Sequence, residues 1–159
     1  MSVSRKTLVA LAGAAGLALP LVTLAPAHAA TLSNGCNVDP SAPVFDHLNN
    51  TGDKVIKYEV YVSCDANRSI EIEDQRWEWD YTSADDPLGT TTYNMTFSDP
   101  PGPARLKSVT KNLPDADAWG DNNEEIYHSV RFRVTGTLDG VTSPWTAWED
   151  SPIVTFHLY

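Results

Sequence analysis

Acidic residues crowd one stretch of this chain in a way that suits a hard cation. Residues 115–125 contain five carboxylates and no basic residue. Crowded carboxylate and amide oxygens are the ligands that Ca²⁺ requires. Asp115, Asp117 and Asp121 are therefore the candidate calcium ligands. The alternative interpretation is a solvated acidic loop, because like charges in a run repel one another into water.

The spacing of these acids partly matches a known calcium-binding loop. The acids at 115, 117 and 121, together with Gly120, resemble positions 1, 3, 7 and 6 of an EF-hand loop. Trp119 stands at position 5, and Ile126 stands where that loop carries its bidentate glutamate. Because the completing ligand is missing, the calcium site and the solvated loop both stay open.

Five tryptophans offer a second kind of chemistry. Exposed indole rings can stack on sugar rings or anchor a protein partner. Trp119 lies in the acidic stretch and is expected to be exposed, while Trp77 and Trp79 share one face of a predicted strand. These three are the candidate binding residues, and packing in the core is the alternative role for the pair.

Catalysis finds little support among the remaining residues. The chain contains neither a Gly-x-Ser-x-Gly elbow nor a His-Glu-x-x-His pair. His128 shares the parity of Ile126 and Val130, which predicts a histidine at the edge of the core with its hydrogen bonds satisfied. We therefore expect a protein that is not an enzyme and needs no cofactor, calcium being the one candidate.

The first 29 residues are typical of an export signal. Arg5 and Lys6 precede an apolar, alanine-rich run, and Ala27-His28-Ala29 places small residues where a signal peptidase reads them. The sequence thus predicts cleavage before Ala30, release to the extracellular space and one domain over residues 30–159. An uncleaved membrane anchor is the alternative, although alanine, glycine and proline make this run only weakly apolar.

Net charge limits the partners of the processed chain. The formal charge is −10, and removal of the two basic residues of the signal makes it −12. Nucleic acids and anionic membranes both select a surplus of Lys and Arg, so neither is an expected partner. The acidic surface also makes a monomer the default expectation.

Two cysteines remain in an exported chain, and an oxidising compartment favours one disulfide between them. Cys36 and Cys64 allow a single pairing. No Cys-x-x-Cys motif is present, so a redox or metal role is disfavoured. The predicted bridge is structural.

Hydrophobic residues of the predicted domain repeat with a period of two. In the stretch 54–64 one parity is shared by Ile56, Tyr58, Val60, Val62 and Cys64, which predicts a half-buried strand with the disulfide on its core face. Ile70 and Ile72 have even parity, whereas Trp77 and Trp79 have odd parity. This switch predicts a bulge or a break at residues 74–75.

Further strands follow the same alternation. We expect a loop at 85–89, strands at 93–97 and around 106–109, a clear strand at 126–134, a hairpin turn at Asp139-Gly140, a returning strand at 141–148 and a terminal strand at 153–159. No window of the processed chain has helical periodicity. Seven or eight short strands in 130 residues predict an all-β, antiparallel sandwich of two sheets.

The last third of the chain resembles part of a fibronectin type III domain. Leu113-Pro114, Tyr127, the alternating stretch 130–134 and the stretch 139–145 are similar to a corner and a hairpin of that family. The resemblance implies an immunoglobulin-like sandwich and implies that Tyr127 is the corner tyrosine. Two departures are the twelve residues between proline and tyrosine and the disulfide.

These observations predict a secreted, non-enzymatic binding domain for an extracellular protein or polysaccharide. Two other functions stay open. An inhibitor of an extracellular hydrolase could use the stiff stretch Pro100-Pro101-Gly102-Pro103 as a projecting loop. A carbohydrate-binding module could use the tryptophans as its sugar platform.

Overall fold

A computed structural model describes residues 31–81, 83–98, 105–113, 123–136 and 140–157. The described residues form ten strands and no helix. The strands are β1 (Thr31–Ser33), β2 (Cys36–Pro40), β3 (Val44–Leu48), β4 (Lys54–Cys64), β5 (Arg68–Glu78), β6 (Asp86–Phe97), β7 (Arg105–Asn112), β8 (Asn123–Gly136), β9 (Glu149–Asp150) and β10 (Val154–His157). These residues therefore contain no helix that could cross a membrane.

The first sheet is organised around β4. One edge of β4 pairs with β7 over Val55–Val62. Since β2 pairs with residues 60–64 of β4 and β3 with residues 54–57, both strands must lie end to end along the other edge. β1 extends the sheet beyond β2, and all these pairings are antiparallel.

The second sheet has the strand order β10-β8-β5-β6, and the short strand β9 also pairs with β8. β5 and β8 form its centre through a long antiparallel register that runs from Ile70↔Val134 to Glu78↔Ile126. The chain enters this sheet after β4, returns to the first sheet after β6 and enters the second again after β7. The fold is thus the predicted all-β antiparallel sandwich of two sheets.

The two sheets bury one alternating set of side chains from each long strand. The larger apolar cluster joins Val38 and Val60 of the first sheet to Ile72 and Phe132 of the second. Tyr58 belongs to a smaller cluster with Ile56, Leu113 and Ile126 at the other end of the sandwich. Burial of apolar area in these clusters supplies the main stabilising term of the fold.

The disulfide lies in the larger cluster, as its predicted place on the core face requires. Cys36 and Cys64 are direct partners in the β2–β4 register, with 4.0 Å between their Cα atoms. Both side chains are buried. The bridge therefore joins neighbouring strands of one sheet.

β5 differs from the sequence prediction in a way that matters for the core. The predicted parity switch at residues 74–75 is wrong, because even-numbered residues face inward along the whole strand. Asp74, Arg76 and Glu78 are consequently buried, and Trp77 lies on the outer face. Register irregularities occur between Arg76 and Trp77 in the pairing with β6 and between Ser69 and Ile70 in the pairing with β8.

Two strand boundaries also differ from the prediction. β6 begins at Asp86, so most of the predicted loop at 85–89 is strand. Proline is tolerated there because β6 is an edge strand whose free side needs no amide donor at Pro87. β8 begins at Asn123, so Glu124 and Glu125 at the end of the acidic stretch belong to a strand.

Candidate binding face

Two arginines and two tryptophans stack on the outer face of the second sheet. The guanidinium carbon of Arg131 lies 4.8 Å from the Trp145 ring centre and 4.5 Å from that of Trp148. The guanidinium carbon of Arg133 lies 4.7 Å from the Trp145 ring centre. Since Trp145 contacts both arginines and Arg131 contacts both tryptophans, the stack runs in the order Arg133, Trp145, Arg131, Trp148.

Glutamates of the neighbouring strand hold the arginines in place. Arg131 lies opposite Glu73 in the β5–β8 register, and Arg133 lies opposite Glu71. In each pair the arginine Nε donates to the glutamate Oε2 at 2.7 Å, and Nη2 lies 2.6 Å from the same oxygen. We call the surface formed by Glu71, Glu73, Arg131, Arg133, Trp145 and Trp148 the ladder face.

The segment that carries the tryptophans follows β8 without forming a regular strand. The amides of Val134 and Phe132 donate to the hydroxyls of Ser143 and Thr146 at 2.9 and 3.0 Å. The amides of Ser143 and Thr146 in turn donate to the carbonyls of Val134 and Phe132. The predicted returning strand at 141–148 is therefore wrong, because side-chain oxygens replace half of the backbone ladder.

A repeat of three residues explains how both tryptophans reach the same face. Ser143 and Thr146 are three residues apart and both contact the backbone of β8, while Trp145 and Trp148, also three apart, both lie over Arg131. Three residues per turn is the period of a polyproline II helix. The opposite parities of the two tryptophans are incompatible with one face of a regular strand, but this repeat removes the conflict.

The ladder face is held together by many weak contacts. A cation–π contact at a partly exposed site stabilises by about 0.5–1 kcal/mol, and an exposed ion pair contributes less than about 1 kcal/mol. Trp145 is half-buried, and Trp148 remains 38% exposed. The stack thus presents ordered aromatic and guanidinium groups to solvent, which is the arrangement that a binding surface needs.

The predicted binding residue Trp77 lies on the same outer face as the ladder, near one end of it. Trp77 is opposite Tyr127 in the β5–β8 register, and both side chains are half-buried. Four residues of strand, about 13 Å, separate Tyr127 from Arg131. The structure thus places Trp77 on the outer face of the sheet and not in the core.

The hydroxyl of Tyr127, which the family resemblance implies is the corner tyrosine, bonds an aspartate that precedes β6. Its hydroxyl donates to Asp85 Oδ2 at 2.6 Å, so it joins β8 to the segment that precedes β6. Burial and this acceptor carboxylate both raise the pKa of Tyr127. Trp79 lies beyond the end of β5, where its amide donates to the Glu125 carbonyl and its ring meets Tyr81 edge-on at 6.0 Å.

The remaining predicted site residues lie outside the described part of the chain. Asp115, Asp117, Trp119 and Asp121 fall in residues 114–122, and the projecting-loop candidate falls in residues 99–104. Within the described ranges no group of three or more His, Cys, Asp or Glu side chains is arranged to hold a metal ion.

A buried polar pair lies on the inner side of the same sheet. His128 Nδ1 lies 2.8 Å from Asp74 Oδ1, and His128 Nε2 lies 2.8 Å from the Ser41 carbonyl. Both side chains of the pair are 0% exposed. The prediction that His128 is a core histidine with satisfied hydrogen bonds is confirmed. Because the pair is fully buried, it does not contact solvent.

The pair belongs to a wider polar layer that sequence reasoning missed. The Tyr93 hydroxyl lies 3.4 Å from Asp74 Oδ2, and Arg76 Nη1 donates to the Thr91 hydroxyl at 2.9 Å. The ring of Tyr58 packs edge-on against His128 at 5.5 Å, and burial raises the pKa of Tyr58 and of Tyr93. The even parity of Ile70 and Ile72, continued through residue 76, was the signal that would have found this layer.

Comparison with known proteins adds no relative to this description. Neither the protein-family models nor the sequences of curated proteins match the chain.

Proposed function

We propose that this chain is a secreted, non-enzymatic binding domain that recognises a protein partner through the ladder face. The observation that carries the proposal is the Arg133–Trp145–Arg131–Trp148 stack, fixed by two glutamates on the outer face of a rigid sheet.

The composition of the ladder face favours a protein over other ligands. Tryptophan and arginine are the residues most enriched among the energetic hot spots of protein interfaces. Here both types are held in one geometry before a partner arrives, so little side-chain entropy is lost on binding. Two glutamates balance the two arginines, which suits a partner surface that is polar without a strong net charge.

A polysaccharide fits this face less well. Sugar rings bind tryptophan by stacking on the flat face of the indole. Guanidinium groups already lie 4.5–4.8 Å from the ring centres of Trp145 and Trp148. A sugar ring would have to compete with these guanidinium groups for the indole faces, so hydrogen bonding and edge contacts with a protein are favoured.

Secretion and class membership are parts of the same proposal. The export signal predicted for residues 1–29 supports secretion, and the Cys36–Cys64 bridge suits an oxidising compartment. The order in which the chain crosses between the two sheets supports an immunoglobulin-like domain related to fibronectin type III. The complete burial of the Asp74–His128 pair supports a role without catalysis.

The test is affinity capture with matched variants. The purified domain is immobilised and incubated with culture supernatant or extract of the producing organism, beside Trp148→Ala and Tyr61→Ala variants of unchanged melting temperature. Tyr61 is similarly exposed but belongs to the first sheet. We expect one protein to be retained by the wild type and by Tyr61→Ala, and to be lost with Trp148→Ala.

Two results would contradict the proposal. Equal retention by both variants would place binding elsewhere on the molecule. Retention of no protein, together with quenching of tryptophan fluorescence by a polysaccharide, would replace the protein partner by a carbohydrate.

A further inference from the structure

A cavity of about 580 Å³ opens at the end of the sandwich where β4 begins and β7 ends. It is lined by His47 and Asn49 near the end of β3, Val55 and Tyr58 of β4, Leu88 of β6 and the last residues of β7. Its volume lies within the range of about 300–1,000 Å³ that is typical of small-molecule sites. Most of its lining comes from the first sheet, so it is separate from the ladder face.

The apolar part of the lining is preformed. Val55 and Tyr58 are buried, and Leu88 packs against the cluster that contains Tyr58 and Ile126. A wall backed by packed core residues cannot collapse without a loss of contacts. The cavity therefore offers a fixed apolar surface to a ligand.

The charged part of the lining is positive. Lys111 lines the cavity, and among the residues that the structure describes none forms an ion pair with it. The other basic group is His47, whose Nδ1 lies 2.7 Å from Asp46. Among the described residues that line the cavity none is acidic, although the chain as a whole carries a formal charge of −10. An ammonium group beside an apolar wall is complementary to an anion with a hydrocarbon body.

We infer that this cavity binds a small amphiphilic carboxylate. The hydrocarbon portion would lie against Val55, Tyr58 and Leu88, and the carboxylate would pair with the Lys111 ammonium at the opening. The inference is independent of the proposed protein partner, because the residues involved do not belong to the ladder face.

Decanoate and its neutral counterpart decanol are the probes, titrated into the full-length processed protein by calorimetry. We expect decanoate to bind at one site, and to bind about fivefold more tightly than decanol, the effect of one partly exposed ion pair. Lys111→Ala should remove that difference. Lys57→Ala is the matched control, because Lys57 lies on the neighbouring strand, pairs with Glu59 and does not line the cavity.

Leu88→Trp supplies a second variant that fills the cavity and leaves every charge in place. With a melting temperature close to that of the wild type, it should lose decanoate binding. Failure of decanoate to bind saturably at millimolar concentration would overturn the inference. So would equal binding of decanoate and decanol, or undiminished decanoate binding by the folded Leu88→Trp variant.

Discussion

Removal of one member of the buried Asp74–His128 pair should destabilise the domain strongly, because the remaining member loses its hydrogen-bonding partner. In Asp74→Leu the His128 Nδ1 atom, 2.8 Å from its carboxylate partner in the native fold, would face hydrocarbon. In His128→Leu the Asp74 carboxylate would retain, among the described residues, the Tyr93 hydroxyl at 3.4 Å. Both side chains are fully buried, so water cannot replace the missing partner. We expect each substitution to lower the free energy of unfolding by about 3–5 kcal/mol.

The double variant should cost about as much as either single one. Removal of both groups takes the ionisable pair out of the core, and the groups left behind are the neutral Ser41 carbonyl and Tyr93 hydroxyl. An unsatisfied neutral group costs about 1–3 kcal/mol, which gives about 2–6 kcal/mol for the two. The sum of the single effects would be about 6–10 kcal/mol, so a coupling energy of about 4 kcal/mol is expected.

The assay is urea denaturation at pH 7, followed by tryptophan fluorescence and analysed by linear extrapolation. Because a loss of 3–5 kcal/mol approaches the whole stability of a small domain, Asp74→Asn and His128→Gln provide a milder second cycle. Effects that add within about 0.5 kcal/mol in both cycles would refute the assignment of these two residues as an interacting buried pair.

Three further predictions concern the bridge, the buried tyrosines and the segment that carries the ladder tryptophans. Replacement of Cys36 and Cys64 by alanine should lower the free energy of unfolding by about 3.5 kcal/mol, from the entropy of a loop closed across 28 residues; a loss under about 1 kcal/mol in urea would contradict this. Burial raises the pKa of Tyr58 and of Tyr93 above the ordinary value of 10.0, so unfolding releases protons at alkaline pH. The free energy of unfolding should therefore be constant up to about pH 10 and fall above it, less steeply in Tyr58→Phe than in the wild type. Melting temperatures with the same pH dependence in the wild type and in Tyr58→Phe would argue against buried tyrosines. Thr146→Val removes the hydroxyl that accepts from a buried backbone amide and should cost about 1–3 kcal/mol, compared with under about 0.5 kcal/mol for the exposed control Thr142→Val.

The alternation of side chains made the sheets predictable. β4 buries every second residue from Ile56 to Cys64, and the sequence carries this as a strict period of two. β8 shows the same pattern from Ile126 to Val134. A strand with one face in the core has little freedom in its pattern, because a shift by one residue would expose its whole apolar set. The place of the disulfide followed from the same parity.

In β5 the alternation was misread because polar residues lie on its inner face. Asp74 and Arg76 look like solvent-facing residues, so the sequence predicted a switch of faces that the strand does not make. The burial of Asp74 is compensated by His128, 54 residues further along, which approaches within hydrogen-bonding distance, and that of Arg76 by its hydrogen bond to Thr91. A buried charge requires a partner, and only the packing of strands remote in sequence supplies one.

The ladder face depends on tertiary structure in the same way. The sequence shows that Trp145 and Trp148 cannot both point one way from a regular strand, but it does not show how both rings reach one face. The hydroxyls of Ser143 and Thr146 bond the backbone of β8, which imposes the repeat of three and brings both rings over Arg131. Local alternation thus determined the layers and the bridge of this protein. Contacts between distant segments decided which side chains share a surface, because a hydrogen bond or a stacked ring needs its partner at a definite place in space.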